Sequence, residues 1–177
     1  MHKKKYGKIT VGAWLNLEMS QSSPALMLIV GIGLLIACIA VRIGVGSPYG
    51  VLLSLGVQEL FPPIWLFSLL RGLSFFTIGA TAGFVLGYRD VSCQGEKYKG
   101  GMFFILLAVL ELLWYPTLFG AVWVFLSALE RILILCLSVC VTFSFYRVSK
   151  LAGMIFLLHN VWLVYLLILS FAVWFGV

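Results

Sequence analysis

Charged residues are scarce in this sequence. Lys and Arg number 12 and Asp and Glu only 6, so 10% of the 177 residues are charged, whereas a soluble domain carries about a quarter. A chain with so few charges cannot cover a water-facing surface, which excludes a soluble enzyme or binding domain. The formal charge of +6 does not indicate nucleic-acid binding, because the basic residues stand at the ends of apolar runs.

Metal-ligating and phosphate-binding patterns are also lacking. Cys136 and Cys140 share one helix face, but no His or carboxylate joins them at metal-ligand spacing. Gly31 and Gly33 lie within an apolar run with no strand before them, so they do not form a phosphate-binding loop. The sequence therefore predicts no metal site, no catalytic residues and no required cofactor.

Apolar residues make up 63% of the chain, and its mean hydropathy is +1.13. A membrane-spanning helix needs roughly 20 mostly apolar residues, and five runs meet this length. They cover about 25–43, 64–87, 101–119, 122–146 and 152–175. We therefore predict an all-α integral membrane protein, a five-transmembrane-helix bundle over residues 25–177. Residues 1–24 form a basic N-terminal leader, with Trp14 and Leu15 as interfacial anchors.

The basic residues indicate the orientation of this multi-pass protein. Nine of them fall on one side of a five-span topology: Lys3, Lys4, Lys5, Lys8, Arg89, Lys97, Lys99, Arg147 and Lys150. Lys and Arg are enriched in cytoplasmic loops. We therefore expect a cytoplasmic N-terminus and a C-terminus on the opposite side.

The first outer connection, about 44–62, is long, rich in glycine and still apolar. Such a loop is poorly solvated unless it folds back, so we predict a lid over the bundle; a merely interfacial segment is the alternative. In the second span, Gly79, Gly83 and Gly87 recur every four residues. Small residues at this spacing let helices approach closely, and the neighbour is either another span or a second copy in a homodimer.

Four charged residues lie at membrane depth in three different spans. With a rise of roughly 1.5 Å per residue, Arg71 and Glu111 lie ~12 Å from the outer face, and Glu130 and Arg131 ~14 Å. Charges at this depth are costly and pair inside the bundle or line a wet cavity. They predict either an ion-pair network that fixes helix register or the polar floor of an outward-opening pocket. His159 and Asn160 in the fifth span are expected to form interhelical hydrogen bonds.

Several segments together resemble the TspO/MBR family, the tryptophan-rich sensory proteins and the translocator protein. The sequence from Leu110 to Gly120, LELLWYPTLFG, is similar to the family's "LNWxWxPxFFG" segment at the end of helix three. Phe145 to Ser149 falls on its "WHRVS"-like end of helix four, and Pro62 to Phe67 on its "PPxWxF" entry to helix two. The resemblance covers about residues 25–177 and implies a five-helix bundle, often dimeric, whose pocket is covered by the first long loop.

The resemblance also implies ligands and a binding site. Family members bind porphyrins and other tetrapyrroles, sterols and benzodiazepine-type drugs, so porphyrin or haem is expected as a ligand and not as a cofactor. By matching position, the pocket lining would comprise Trp65, Phe67, Ser68, Trp114, Leu126, Leu129 and Trp162. To this pocket lining we add Arg71, Glu111 and Glu130, because they lie at membrane depth.

Three departures from the family pattern distinguish this chain. Arg71 replaces the family's helix-two tryptophan, and Glu111 replaces its helix-three asparagine, which suggests that the two form a pair. The helix-five "LNYYVW" element reads LSFAVW from Leu169 to Trp174, which argues against sterol recognition there, and the lost tryptophan argues against light-driven porphyrin breakdown.

The sequence thus favours a membrane protein that binds a planar, amphipathic tetrapyrrole or lipid-like molecule in a sensory or transport-linked role. One alternative is a membrane enzyme that acts on a tetrapyrrole through a buried carboxylate, Glu111 or Glu130. A small transporter is the other.

Overall fold

The computed structural model describes residues 12, 18–20, 22–57, 59, 61–89 and 94–176. Most of the predicted N-terminal leader lies outside these ranges. The predicted interfacial anchors Trp14 and Leu15 are among the residues outside the described part.

The described chain is helical, with no strand in the ranges given above. Its helices are α1 (Pro24–Val45), α2 (Tyr49–Ser54), α3 (Ile64–Leu86), α4 (Gln94–Tyr115), α5 (Val124–Val148) and α6 (Lys150–Gly176). All of these except α2 are long and apolar enough to cross a membrane. The prediction of an all-α integral membrane protein with five spans is therefore confirmed.

The third span begins earlier than predicted. Helix α4 starts at Gln94 and not at 101, because its first two turns are polar and lie outside the apolar run. These turns are held by an exposed pair, in which Arg147 donates to Glu96 at 3.3 Å, and by a buried contact of Gly100 with the ring of Phe145. The predicted start of the third span at about 101 is corrected accordingly.

The third and fourth spans are separated by a single turn of π-helix, Pro116–Gly120, which continues directly from α4. Trp123 N–H then donates to the Thr117 carbonyl at 3.1 Å and closes the reversal into α5. The break predicted between the apolar runs 101–119 and 122–146 is thus present. Going round the bundle, the spans follow the order α1, α3, α6, α5, α4, and α4 closes the ring against α1.

The glycine face of α3 packs on α1. A Cβ at Gly79 would lie 2.8 Å from the Val30 carbonyl, and one at Gly87 would lie 3.0 Å from the Ser23 nitrogen. A Cβ at Gly83 would collide with the Leu26 carbonyl. The partner of the four-residue glycine repeat is therefore the first span of the same chain and not a second copy.

The segment 44–62 folds back onto the outer end of the bundle. It contains the short helix α2, and its side chains Leu52 and Val57 are buried in the main hydrophobic core. Tyr115 donates its hydroxyl to the Gly46 carbonyl at 3.3 Å. The segment thus covers the outer ends of the helices, as the sequence predicts.

At the opposite end, Glu18 joins the leader to both inner connections. Its Oε2 accepts hydrogen bonds from Ser149 Oγ at 2.6 Å and from Tyr88 Oη at 3.4 Å. Ser149 precedes α6, and Tyr88 follows α3. The side chain of Glu18 is 9% exposed, so this carboxylate closes the inner end of the bundle.

The charge distribution yields a topology prediction. Reporters fused to the N-terminus and inserted between α3 and α4 should both be found in the cytoplasm, because Lys and Arg concentrate on that side. A reporter at the C-terminus should be found on the opposite side. Accessibility to a membrane-impermeant label measures this, and termini on the same side would contradict it.

Candidate functional site

A buried ion pair joins α4 and α5 in the outer half of the bundle. Arg131 Nη1 donates to Glu111 Oε2 at 3.2 Å, and neither side chain is more than 3% exposed. The small residues Ser127 and Ser138 lie on the same face of α5 as Arg131, at spacings of four and seven residues. They leave room for the guanidinium to point inward.

The side chain of Arg71 contacts the backbone of the same glutamate. Its Nη2 donates to the Glu111 carbonyl oxygen at 2.9 Å, and the residue is 5% exposed. The predicted closeness of Arg71 and Glu111 is therefore confirmed, together with one polar cluster across the second, third and fourth spans. The suggested pairing of the two side chains is corrected, because the carboxylate of Glu111 pairs with Arg131.

Trp114 contacts both guanidinium groups. Arg131 Cζ lies 3.6 Å from the Trp114 ring centroid, and Arg71 Cζ lies 5.1 Å from it. Stacking of a desolvated guanidinium on an indole is favourable by about 2 kcal/mol. The tryptophan is 1% exposed, so it acts as a buried support for the two arginines.

His159 extends the cluster to α6. Its Nδ1 lies 2.9 Å from Ser74 Oγ, and its Nε2 lies 3.9 Å from Glu111 Oε1. The neighbouring Asn160 bonds Ser138 Oγ at 2.5 Å and Thr142 Oγ1 at 2.9 Å. The expected interhelical hydrogen bonds of both residues are therefore present. We name Arg71, Glu111, Trp114, Arg131 and His159 the charged cluster.

The charged cluster has more hydrogen-bonding capacity than the protein uses. Its two arginines and one glutamate carry a formal sum of +1. Among the described residues, the buried atoms of the cluster that have no hydrogen-bond partner are Arg71 Nη1, Arg131 Nε and Nη2, Glu111 Oε1, Trp114 Nε1 and His159 Nε2. Leaving such groups unpaired costs about 1–3 kcal/mol each, so the cluster is suited to accept further polar atoms, preferably anionic ones.

A small cavity reaches Arg71 between α1, α3 and α4. It has a volume of about 50 Å³, more than the roughly 10–15 Å³ needed for one water. Arg42, near the outer end of α1, lines it together with Arg71. Phe67, Ser68 and Tyr115 complete the polar and aromatic part of its wall. We name it the arginine cavity.

The structure divides the predicted site residues into three groups. Phe67, Ser68 and Arg71 line the arginine cavity, while Glu111 and Trp114 belong to the charged cluster. Trp162 is partly buried beside Phe67, with ring centroids 6.4 Å apart, and lines a separate groove between α3 and α6.

Three of the remaining predicted site residues lie on the outside of the bundle and not around its interior, whereas Glu130 has a buried Oε2. Trp65, Leu126 and Leu129 are 69%, 45% and 42% exposed. Glu130 is half-buried, and the structure places no bond between it and Arg71. The reason is geometric: successive residues of a helix are rotated by ~100°. When Arg131 faces inward, Glu130 and Leu129 turn away.

Sequence reasoning overlooked three participants. Arg42, near the end of the first span, was not considered as a site residue, and Ser74 carried no signal beyond its position on α3. Arg131 was grouped with the deep charges but not with the binding residues. The spacing of Ser127, Arg131 and Ser138 on one face of α5 was the pattern that could have identified it.

The fold and the cluster can be compared with known proteins. A family model, the TspO/MBR family, matches residues 25–175. No curated protein and no solved structure gives a significant match. The family match spans all five membrane helices and the residues of both the charged cluster and the arginine cavity. This chain is a member of the TspO/MBR family.

Proposed function

We propose that this membrane protein binds a planar, amphipathic ligand that carries a carboxylate, of tetrapyrrole or lipid-like type, in a sensory or transport-linked role. The observation that carries the proposal is the arginine cavity. Two arginines line it, and no described carboxylate lies within 4 Å of Arg71. A ligand carboxylate in this cavity would accept a hydrogen bond from Arg71 Nη1 and balance the charge of the cluster.

The outer segment supplies a surface for the rest of the ligand. Beneath it lies a second cavity of about 290 Å³, bordered by Tyr49, Leu52, Phe61 and the Pro62–Pro63 pair. Phe61 and Phe67 form an edge-to-face pair with centroids 5.7 Å apart. Because Phe67 lines the arginine cavity, the two spaces are neighbours. Aromatic side chains at this place suit a flat ring.

Access for a whole tetrapyrrole requires the outer segment to move, since binding sites for such ligands are larger, roughly 300–1,000 Å³. The backbone has positive φ at Gly46 and Gly56, on either side of α2. These two glycines lie at the ends of the segment that would move outward, as hinge residues of a lid do.

The carboxylate is tested by comparing protoporphyrin with its dimethyl ester, which keeps the ring and removes the acid. We expect Arg71→Met to weaken binding of the acid by about 1.5–3 kcal/mol, the range for a hydrogen bond to a charged group. That is roughly ten- to hundred-fold in Kd. Binding of the ester should change little. Titration of tryptophan fluorescence in detergent measures both affinities.

Arg147→Gln is the matched control, because this arginine lies at the inner end of α5 and its side chain is 69% exposed. It should bind both porphyrins as the parent protein does. Equal losses for acid and ester in Arg71→Met, or none, would contradict a carboxylate at Arg71. Consumption of the porphyrin during the titration would instead favour the enzyme alternative.

A further inference from the structure

A groove runs along the lipid-facing seam between α3 and α6. Its outer part has a volume of about 210 Å³ and an apolar wall that includes Leu70, Leu158 and Trp162. The inner part, about 170 Å³, shares Thr77 and Ile155 with the outer part. The two cavities therefore adjoin, the inner one being bounded also by Met27 of α1, and we name them together the α3–α6 groove. From the level of Leu70 to that of Phe84 it is ~21 Å long.

Three hydroxyl groups lie along this apolar wall, those of Ser74, Thr77 and Thr81. Ser74 and Thr77 both line the groove, one turn apart on α3. Thr77 donates its proton to the Leu73 carbonyl at 2.8 Å. Ser74 is bonded to His159 Nδ1 at 2.9 Å, and the direction of that bond decides what the groove offers to a ligand.

The carboxylate of Glu111 fixes this direction. Its Oε1 faces His159 Nε2 at 3.9 Å, so a lone pair on Nε2 would be repelled and a proton on Nε2 is favoured. In that tautomer Nδ1 accepts, and Ser74 donates. All three hydroxyl protons are then donated within the protein, since Thr81 donates to the Thr77 carbonyl at 2.8 Å. Each oxygen keeps lone pairs, so the groove presents acceptors and no free hydroxyl donor.

The depth of these hydroxyls limits the ligand further. Ser74 lies midway along α3, ~15 Å from either end, which is the middle of a hydrocarbon core about 30 Å thick. A phospholipid keeps its charged headgroup at the interface and would bring only chains to this level. An uncharged molecule with one hydroxyl can reach it.

We propose that the α3–α6 groove binds an uncharged, long-chain membrane lipid whose hydroxyl group donates a hydrogen bond to Ser74 Oγ, with Thr77 Oγ1 as the neighbouring acceptor. The chain lies along the groove towards the inner end of α3. Such molecules are long-chain alcohols and alkyl hydroquinones. The site is separate from the arginine cavity and requires no carboxylate on the ligand.

Two ligand pairs test the hydroxyl directly in the purified protein. An alkyl hydroquinone is compared with its benzoquinone, which has the same chain but only acceptors, and hexadecan-1-ol is compared with its methyl ether. A net hydrogen bond at a buried acceptor predicts about tenfold tighter binding of the hydroxyl member. Equilibrium binding of tritiated ligands measures each pair. Preference for the hydroxyl member in the hydroquinone pair alone would identify a ring-bearing ligand. Preference for it in both pairs would identify a long-chain alcohol in general.

Ser74→Ala should reduce this preference to less than about twofold, since it removes the principal acceptor. Ser170→Ala is the matched control, because Ser170 lies on α6 and bonds only the Leu166 carbonyl of its own helix at 2.9 Å. It should keep the preference.

A second variant does not depend on the buried network. Leu158 is 73% exposed at the rim of the groove, so Leu158→Trp fills the groove without disturbing the core. It should abolish saturable binding of all four ligands. Equal affinity for both members of each pair in the parent protein, or unchanged binding in Leu158→Trp, would overturn the proposal.

Discussion

Replacing Glu111 with glutamine is expected to destabilise the folded protein by about 3–5 kcal/mol, the cost of breaking a buried pair by removing one partner. The substitution leaves Arg131 fully buried without its counter-ion, while its Nε and Nη2 already have no hydrogen-bond partner within the described part of the chain. The free energy of unfolding, measured by titration with SDS in mixed micelles, reports this loss.

A double variant distinguishes the contribution of the ion pair to stability from that of side-chain packing. Glu111→Leu combined with Arg131→Met removes both charges and keeps apolar volume, and such replacements are commonly neutral or stabilising. The double variant should therefore be more stable than Glu111→Gln. Glu96→Gln is the control: Glu96 forms the same type of pair with Arg147 at 3.3 Å, but at the surface, where a pair contributes ~0–1 kcal/mol. Equal losses in Glu111→Gln and Glu96→Gln would contradict the argument.

The polar core could be located from the sequence because the thickness of the bilayer fixes the length of each membrane-spanning helix. A span must contain roughly 20 apolar residues, so the position of a charge within its run gives its depth. This argument placed Arg71, Glu111 and Arg131 at one level, and the hydrogen bonds between them confirm it. The turn at Pro116 was predictable for the same reason, since the run around it is too long for one crossing.

The rotation of each helix about its own axis was harder to predict. In a water-soluble bundle the polar face of a helix indicates its orientation. Helix α5 has apolar residues on every side, because lipid is as apolar as the core. Leu126 and Leu129 therefore look as suitable for the interior as Ser127 and Ala128, and only the small side chains of the last two mark the packed face.

The departures of this chain from its family acquire a physical meaning in the charged cluster. A family member with tryptophan at position 71 and asparagine at position 111 has neither of these two charges. Here the carboxylate of Glu111 pairs with Arg131, and the guanidinium of Arg71 donates to the backbone carbonyl of Glu111. One positive charge remains over, and it faces the arginine cavity. We therefore expect the two exchanges to favour an anionic ligand at this position.

The contact between α1 and α3 supports the second large prediction, in which one substitution has opposite effects at two glycines. Gly83→Ala should destabilise the protein by about 1–3 kcal/mol, the usual cost of overpacking. The added methyl would collide with the Leu26 carbonyl and lie 2.8 Å from Met27 Cα. Both are backbone atoms that cannot rotate away, so the two helices must separate.

Gly33→Ala provides the opposite case on α1 itself. A Cβ at Gly33 meets nothing within 4 Å, so the methyl faces lipid and the helix gains about 0.5–1 kcal/mol from the lower flexibility of alanine. Titration with SDS should therefore shift the unfolding midpoint down for Gly83→Ala and up for Gly33→Ala. If both variants shift upward, intrinsic helix propensity outweighs contact at this seam. In that case, close approach of the backbones would not be what holds the first span to the bundle.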